Sequence, residues 1–139
     1  MKAKEYLQKL KRLDTLIDQK QKEYDDLRLM STSIGSIEMK ERVQSSAPQA
    51  APFERIIQKM IDLQAEINQE IDVFVDEKDR VIKEIQQIKN LDEMKVLYKR
   101  YVEYKSFEQI AVDMNFTIRN IYFIHGRALN SFTDMFLNT

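Results

Sequence analysis

The chain of 139 residues has no cysteine, a single histidine, two glycines and two prolines. Without cysteine it can form neither disulfide bonds nor thiolate metal sites, and the reducing cytosol is the default compartment. One histidine without cysteine also argues against a zinc site. No apolar run approaches the roughly 18 residues that a membrane span needs. We therefore expect a cytoplasmic protein with no metal and no membrane segment.

The composition that remains is typical of a helix-rich chain. Charged residues make up 32% and hydrophobic residues 43%, and the net charge is −1,. The length allows one domain or two small ones. The sequence has no glycine-rich phosphate loop, and neither its carboxylate pairs nor its serines and histidine have a spacing that suggests catalysis. We therefore expect no enzyme activity and no cofactor.

Residues 3–30 are predicted to form a helix with a coiled-coil-like stripe. Leu10, Ile17 and Tyr24 repeat every seven residues, and Lys20 interrupts the row,. The other apolar residues of the stripe are Leu7, Leu13, Leu16, Leu27 and Met30. Two interpretations stay open: the stripe packs on the next helix of the same chain, or it is the seam of a dimer.

Serine, glycine and proline interrupt this pattern over residues 31–51, which predicts an ordered linker,. Such linkers are most often simple connectors. The alternative is a phosphate contact by the basic and hydroxyl side chains of this segment, which are Lys40, Arg42, Ser45 and Ser46.

A second long helix is predicted from Phe53 to about residue 90, with Pro52 tolerated in its first turn,. Its apolar residues follow an eleven-residue repeat that barely supercoils, seen in Met60, Ile71 and Ile82 and again in Leu63, Phe74 and Ile85,. The first helix is predicted to be about ten residues shorter. Part of the second stripe therefore needs another partner, either the C-terminal domain or a second protomer, and we expect a homodimer.

The C-terminal third has a different apolar rhythm. A helix stop and restart is predicted at residues 90–92, with Asp92 as the cap and the region as a hinge,. The first short helix then covers residues 92–104. Ser106 and Gln109 have the spacing of a capping box, which starts a second helix,.

The second short helix is predicted to stop at Asn115, because asparagine tolerates the left-handed conformation of many helix ends,. Thr117 is then a suitable N-cap for a third helix that runs from Ile118 to about Phe132,. Two short helices joined by a turn form a helix-turn-helix. The residues predicted to pack between them are Ile110, Ala111, Met114, Ile121, Ile124, Ala128 and Leu129.

This segment resembles region 4 of bacterial sigma factors over about a third of the chain. The residues that carry the resemblance are Arg100, Tyr101, Ser106, Gln109, Ile110, Ala111, Thr117, Ile121, Ile124, Ala128 and Leu129. The whole chain is similar to a family of small phage and prophage proteins of Gram-positive bacteria, described as late-gene transcriptional regulators. That similarity includes the long charged N-terminal helix, residues 41–46 and residues 125–129.

The resemblance implies that the last helix enters the DNA major groove with its first two turns. The residues expected at the DNA are then Thr117, Ile118, Arg119, Asn120, Tyr122 and Phe123. Arg119 can pair with guanine, and Asn120 can bind adenine or a phosphate. The basic residues Lys99, Arg100 and Lys105 are expected to contact backbone phosphates, with a simple solvated edge as the alternative,.

The sequence thus predicts an all-α protein: a long antiparallel helical hairpin in residues 1–90 and a helix-turn-helix domain in 91–139. The expected function is a phage-type transcriptional regulator that binds double-stranded promoter DNA and contacts RNA polymerase. The alternative is a protein-binding adaptor. Two features favour the adaptor: residues 92–139 carry equal numbers of basic and acidic residues, and Ile118 and Phe123 stand where polar residues usually read bases. His125 is interpreted as a polar residue at a helix–helix contact.

Overall fold

The computed structural model describes residues 2–41 and 50–138, and all secondary structure within them is helical. This confirms the all-α prediction. Two long helices are followed by three short ones: α1 (Ala3–Glu41), α2 (Ala50–Gln86), α3 (Leu91–Leu97), α4 (Phe107–Met114) and α5 (Ile118–Phe132). A π-helical turn, Tyr98–Val102, follows α3, and a second one, Thr133–Leu137, follows α5. In this described part of the chain, no helix has the length and apolar character needed to span a membrane.

Helix α1 continues past Met30, where the sequence predicted its end. The hydroxyls of Ser31 and Thr32 both donate to the backbone carbonyl of Arg28, at 2.7 Å and 3.0 Å. These side chains bond back to the preceding turn and so remain within the helix. The predicted linker at 31–51 is therefore wrong over residues 31–41 and 50–51, which are helical, while residues 42–49 lie outside the described part.

The two long helices are nearly equal in length, with 39 residues in α1 and 37 in α2. The predicted shortfall of about ten residues in the first helix is wrong. It arose because the hydroxyl-containing segment was interpreted as a break. The argument for a dimer that rested on an uncovered stripe loses its basis as well.

The buried stripe of α1 follows spacings of three and four residues, as in a coiled coil. Its buried or half-buried positions include Ala3, Leu7, Leu10, Leu13, Ile17, Lys20, Tyr24, Leu27 and Ser31. Leu16 and Met30 point outward, and Met30 is 50% exposed. The expectation that these two residues widen the stripe is wrong, because each lies next to a buried or half-buried position and points to a different side of the helix.

Helix α2 uses the same spacing instead of the predicted eleven-residue repeat. Its seam positions include Ile56, Met60, Leu63, Ile67, Glu70, Phe74, Glu77 and Val81, whereas Ile71 is 39% exposed. The seam passes through Glu70 because Lys20 of α1 supplies a partner: the ammonium nitrogen lies 3.4 Å from Glu70 and 3.5 Å from Glu66. An apolar pattern taken alone cannot detect a seam position that an ion pair fills.

Contacts divide the chain into two compact units. One contains residues 15–72, and the other contains residues 1–14 together with 73–139. This division differs from the predicted boundary at residue 90, because the start of α1 and the end of α2 contribute to the same core as α5. That core is formed by Ala3, Leu7, Leu10, Val81, Ile85, Ile88, Leu97, Tyr101, Val102, Ala128 and Phe132.

A second, smaller core holds the helix-turn-helix together. Its buried members are Val96, Ile110, Ala111 and Ile121, with Phe107, Met114, Phe116 and Ile124 packed around them. Ala128 and Leu129, which were also predicted to face α4, instead pack in the larger core. They lie two turns beyond Ile121 on α5, opposite the ends of the long helices.

Candidate nucleic-acid interface

Side-chain caps set the start of each short helix. The side-chain oxygen of Asn90 accepts from the backbone N–H of Glu93 at 3.0 Å, so Asn90 caps α3. The prediction of Asp92 as the cap is wrong, since Asp92 lies in the first turn. Asparagine followed three residues later by glutamate is itself a recognisable start signal.

The caps predicted for the helix-turn-helix are confirmed. The Ser106 hydroxyl accepts from the Gln109 N–H at 3.1 Å, and the Gln109 side chain accepts from the Ser106 N–H at 2.9 Å. Asn115 ends α4 in the left-handed conformation, with φ 61° and ψ 38°. The Thr117 hydroxyl accepts from the Asn120 N–H at 3.1 Å and starts α5 at Ile118, as predicted.

Helix α5 has an inner face, which includes Ile121 and Ala128, and an opposite face that is exposed. We call the exposed stripe the outer face of α5 and define it as Arg119, Tyr122, Phe123 and Gly126. These residues stand at i, i+3, i+4 and i+7 and therefore share one side of the helix. Thr117, Ile118 and Asn120 are exposed beside its first turn. All six residues predicted to contact DNA are thus exposed, five of them on α5 and Thr117 at its N-cap.

The three basic residues predicted to contact phosphates are engaged within the protein. The Lys105 ammonium donates to the Asp113 carboxylate at 2.6 Å, and the Lys99 ammonium lies 3.7 Å from it. The hydrogen bond from Lys105 lowers the pKa of Asp113, which stays ionised at neutral pH. Arg100 donates to the Lys105 carbonyl at 3.0 Å, and its guanidinium lies 4.3 Å from the centre of the Phe107 ring.

Aromatic side chains connect this basic cluster to α5. The centre of the Phe107 ring lies 4.8 Å from the centre of the Tyr122 ring and 4.9 Å from the centre of the His125 imidazole. Tyr122 therefore packs against a neighbouring ring, whereas Phe123 on the same outer face is 62% exposed, with the guanidinium of Arg127 5.7 Å from its ring centre. Phe123 is the freer of the two aromatic contacts that α5 can offer.

His125 lies at a contact between α5 and the first π-helical turn. Its Nε2 atom is 2.7 Å from the Tyr101 hydroxyl, and the two rings stack with centres 5.7 Å apart. Burial, with a smaller effect from Arg100 and Lys4, lowers the pKa of His125 to about 4. Burial also raises the pKa of Tyr101 to about 12. Both groups are neutral at physiological pH and form a polar link inside the domain, which matches the interpretation of His125 as a helix-contact residue.

Acidification is expected to destabilise the protein through His125. In the unfolded chain the pKa of His125 is about 6.5. In the folded protein its pKa is about 4. This contribution to stability is fully present above about pH 6.5 and is lost as the pH falls toward about 4. Urea unfolding at several pH values, compared with His125→Gln, measures it, because glutamine can still hydrogen-bond to Tyr101 and does not titrate. His125 is the only histidine, so its proton NMR titration reports the pKa directly; a midpoint near 6.5 would contradict this assignment.

Charge is unevenly distributed within the neutral C-terminal segment. Helix α5 contains two arginines and no acidic residue, whereas α4 contains Glu108 and Asp113 and no basic residue. Asp113 is already paired with Lys99 and Lys105. The zero balance of residues 92–139 therefore hides a basic helix that carries the outer face.

No family model matches this chain. Neither the curated proteins nor the solved structures include a significant match to it. The chemistry of the exposed helix is thus the main guide to function.

Sequence reasoning missed a polar contact that fixes α5 against α3. Glu93 is only 6% exposed, and the Ser131 hydroxyl donates to its carboxylate at 2.5 Å. The two residues are 38 positions apart, and no local pattern connects them. The pairing of Asp113 with Lys105 was missed for the same reason, because it depends on how α4 returns toward the loop before it.

Proposed function

We propose that this protein is a transcriptional regulator that binds double-stranded DNA through the outer face of α5. One observation carries the proposal. A capped helix with two arginines and no acidic residue presents Arg119 and Asn120 at its exposed first turn. Arginine and asparagine are the side chains best suited to hydrogen-bond guanine and adenine in the major groove. The three-helix arrangement around α5 is the scaffold that usually delivers such a helix.

Phosphate contacts are proposed to come from Arg127 as well as from the basic cluster of Lys99, Arg100 and Lys105. Arg127 is exposed and lies two turns after Arg119 on α5. Lys99 and Lys105 share the Asp113 carboxylate, which offsets part of their charge. Since phosphate neutralisation supplies most non-specific affinity, we expect weak non-specific binding and a shallow salt dependence.

The cellular setting is proposed from the resemblance to sigma factor region 4 and to small phage regulators. It supports a cytoplasmic protein of a bacterial host that acts on promoter DNA and contacts RNA polymerase. A homodimer is part of the proposal. Its support is an apolar surface on α2, within residues 15–72, that is lined by Ile57, Met60, Ile61 and Ala65.

A protein-binding adaptor is the second candidate. It is favoured by the exposed apolar side chains of the helix-turn-helix, which are Val112 on α4 and Ile118, Tyr122 and Phe123 on α5. Exposed aromatic residues of this kind often anchor protein interfaces. The same helix would then dock a host or phage protein instead of DNA.

Arg119→Ala is expected to weaken binding to the preferred DNA site by about 1–3 kcal/mol, the usual cost of losing an arginine contact to guanine. Fluorescence anisotropy with the full chain measures it. Arg55→Ala is the matched control, because Arg55 is an exposed arginine on α2 and its loss removes the same charge. If Arg119→Ala and Arg55→Ala bind the site with equal affinity, Arg119 does not contact a base.

The preferred site comes from selection of random duplex DNA by the tagged full-length protein. Enrichment of one sequence supports the regulator, and two copies of a half-site within it support the dimer. The same tagged protein, recovered from induced host cells, reports bound DNA and bound proteins together. If no sequence is enriched and a single protein is recovered in stoichiometric amount, the adaptor replaces the regulator.

A further inference from the structure

We infer that the outer face of α5 recognises thymine through its C5 methyl group, and that Phe123 makes this contact. The inference rests on the proposed DNA-binding function and names the base class that the apolar part of the surface selects. This surface has more apolar than hydrogen-bonding side chains. The accessible start of α5 offers few hydrogen-bonding side chains, Arg119 and Asn120 foremost, and the rest of the surface is mainly Ile118, Tyr122 and Phe123.

Phe123 is the best placed of the three apolar residues. Ile118 is less exposed than the other two, and Tyr122 packs against Phe107 at 4.8 Å between ring centres. Phe123 is 62% exposed and follows Arg119 by one helical turn on the same side. A helix that places Arg119 at a base edge therefore brings the Phe123 ring into the same groove.

In the major groove, the group best suited to pack against such a ring is the thymine methyl group. Each base presents hydrogen-bond donors or acceptors there, and thymine alone adds an apolar methyl group. A phenyl ring against a donor or acceptor would desolvate it without replacing its hydrogen bond to water. Against the thymine methyl, the same ring buries apolar surface on both partners.

Gly126 supports close approach on this side of α5. It stands one turn after Phe123 in the interior of the helix, where glycine costs roughly 1 kcal/mol relative to alanine. A Cβ atom built there would meet nothing within 4 Å, so packing inside the protein does not require the glycine. A missing side chain beside Phe123 leaves room for the edge of the groove to approach the helix.

The test replaces thymine by deoxyuridine, which loses only the methyl group and keeps base pairing and the O4 acceptor. The enriched site is synthesised with each thymine replaced in turn, and the affinity of the full-length protein is measured for each duplex. At one thymine we expect about fourfold weaker binding, the factor that corresponds to about 0.8 kcal/mol for one buried methyl group. Phe123→Ala should bind the thymine and deoxyuridine duplexes equally. Val75→Ala is the control, since Val75 is an exposed apolar residue on α2, away from the helix-turn-helix, and it should keep the fourfold ratio.

The outcomes separate this inference from the proposed function. An enriched site at which no deoxyuridine weakens binding overturns methyl recognition and leaves DNA binding standing. A thymine preference that persists in Phe123→Ala overturns the assignment to Phe123. Failure to enrich any DNA overturns the proposed function itself, and the inference with it.

Discussion

A chain cut to residues 91–139 is expected to be largely unfolded in water at 25 °C. Five of its side chains belong to a core that the ends of α1 and α2 complete; they are Leu97, Tyr101, Val102, Ala128 and Phe132. The cut removes their partners Leu7, Leu10, Val81, Ile85 and Ile88. Each large apolar side chain returned to water costs about 1.5–3 kcal/mol. The sum is comparable to the whole stability of a small domain, about 5–15 kcal/mol.

Circular dichroism and urea unfolding of the fragment measure this effect against the full chain. The matched control joins residues 1–14 to 73–139 through a short glycine–serine linker, because this combination contains the complete core. The control is expected to unfold cooperatively. A cooperative transition in the 91–139 fragment would instead support a domain boundary at residue 90.

Phe132→Ala is expected to reduce the free energy of unfolding by about 3–5 kcal/mol, the usual cost of removing a buried phenyl group. Phe132 is fully buried at the end of α5, with ring centres 5.6 Å from Tyr6 of α1 and 4.9 Å from Phe136. The cavity left behind lies between several packed elements, so we expect the surrounding structure to fill it only in part. Urea unfolding at pH 7 gives the difference directly.

Phe123→Ala provides the comparison for this measurement. It removes the same group from the same helix, but from an exposed position, and should change stability by no more than about 0.5 kcal/mol. Similar losses in the two variants would contradict the burial of Phe132. The pair also separates roles on α5, since the first variant reports on folding and the second on binding.

The helix-turn-helix could be predicted from the sequence because its caps depend on local hydrogen bonds. Ser106 with Gln109, and Thr117 with Asn120, bond across three residues, so their spacing alone predicts the helix starts,. Asn115 ends α4 through its own backbone conformation. The start of α5 at Ile118 was predicted correctly for this reason.

Errors arose where the outcome depended on residues far apart in the sequence. In the sequence Lys20 interrupts the α1 stripe, whereas in the structure it lies beside Glu66 and Glu70 of α2 and belongs to the stripe. The ion pairs of Lys99 and Lys105 with Asp113 were not predicted either. No local pattern encodes these pairs, because they form only when separate helices pack.

By itself, the sequence determined the helical class, the caps that start α4 and α5, and the composition of the exposed helix, since these depend on residues within one or two turns. The tertiary structure decided which surfaces remain accessible. It buried Ala128 and Phe132 against the ends of the long helices and used Arg100 to stack on Phe107. It left Arg119 and Phe123 outside. The physical reason is that burial and ion pairing depend on distance in space, and folding brings together side chains that the chain order keeps apart.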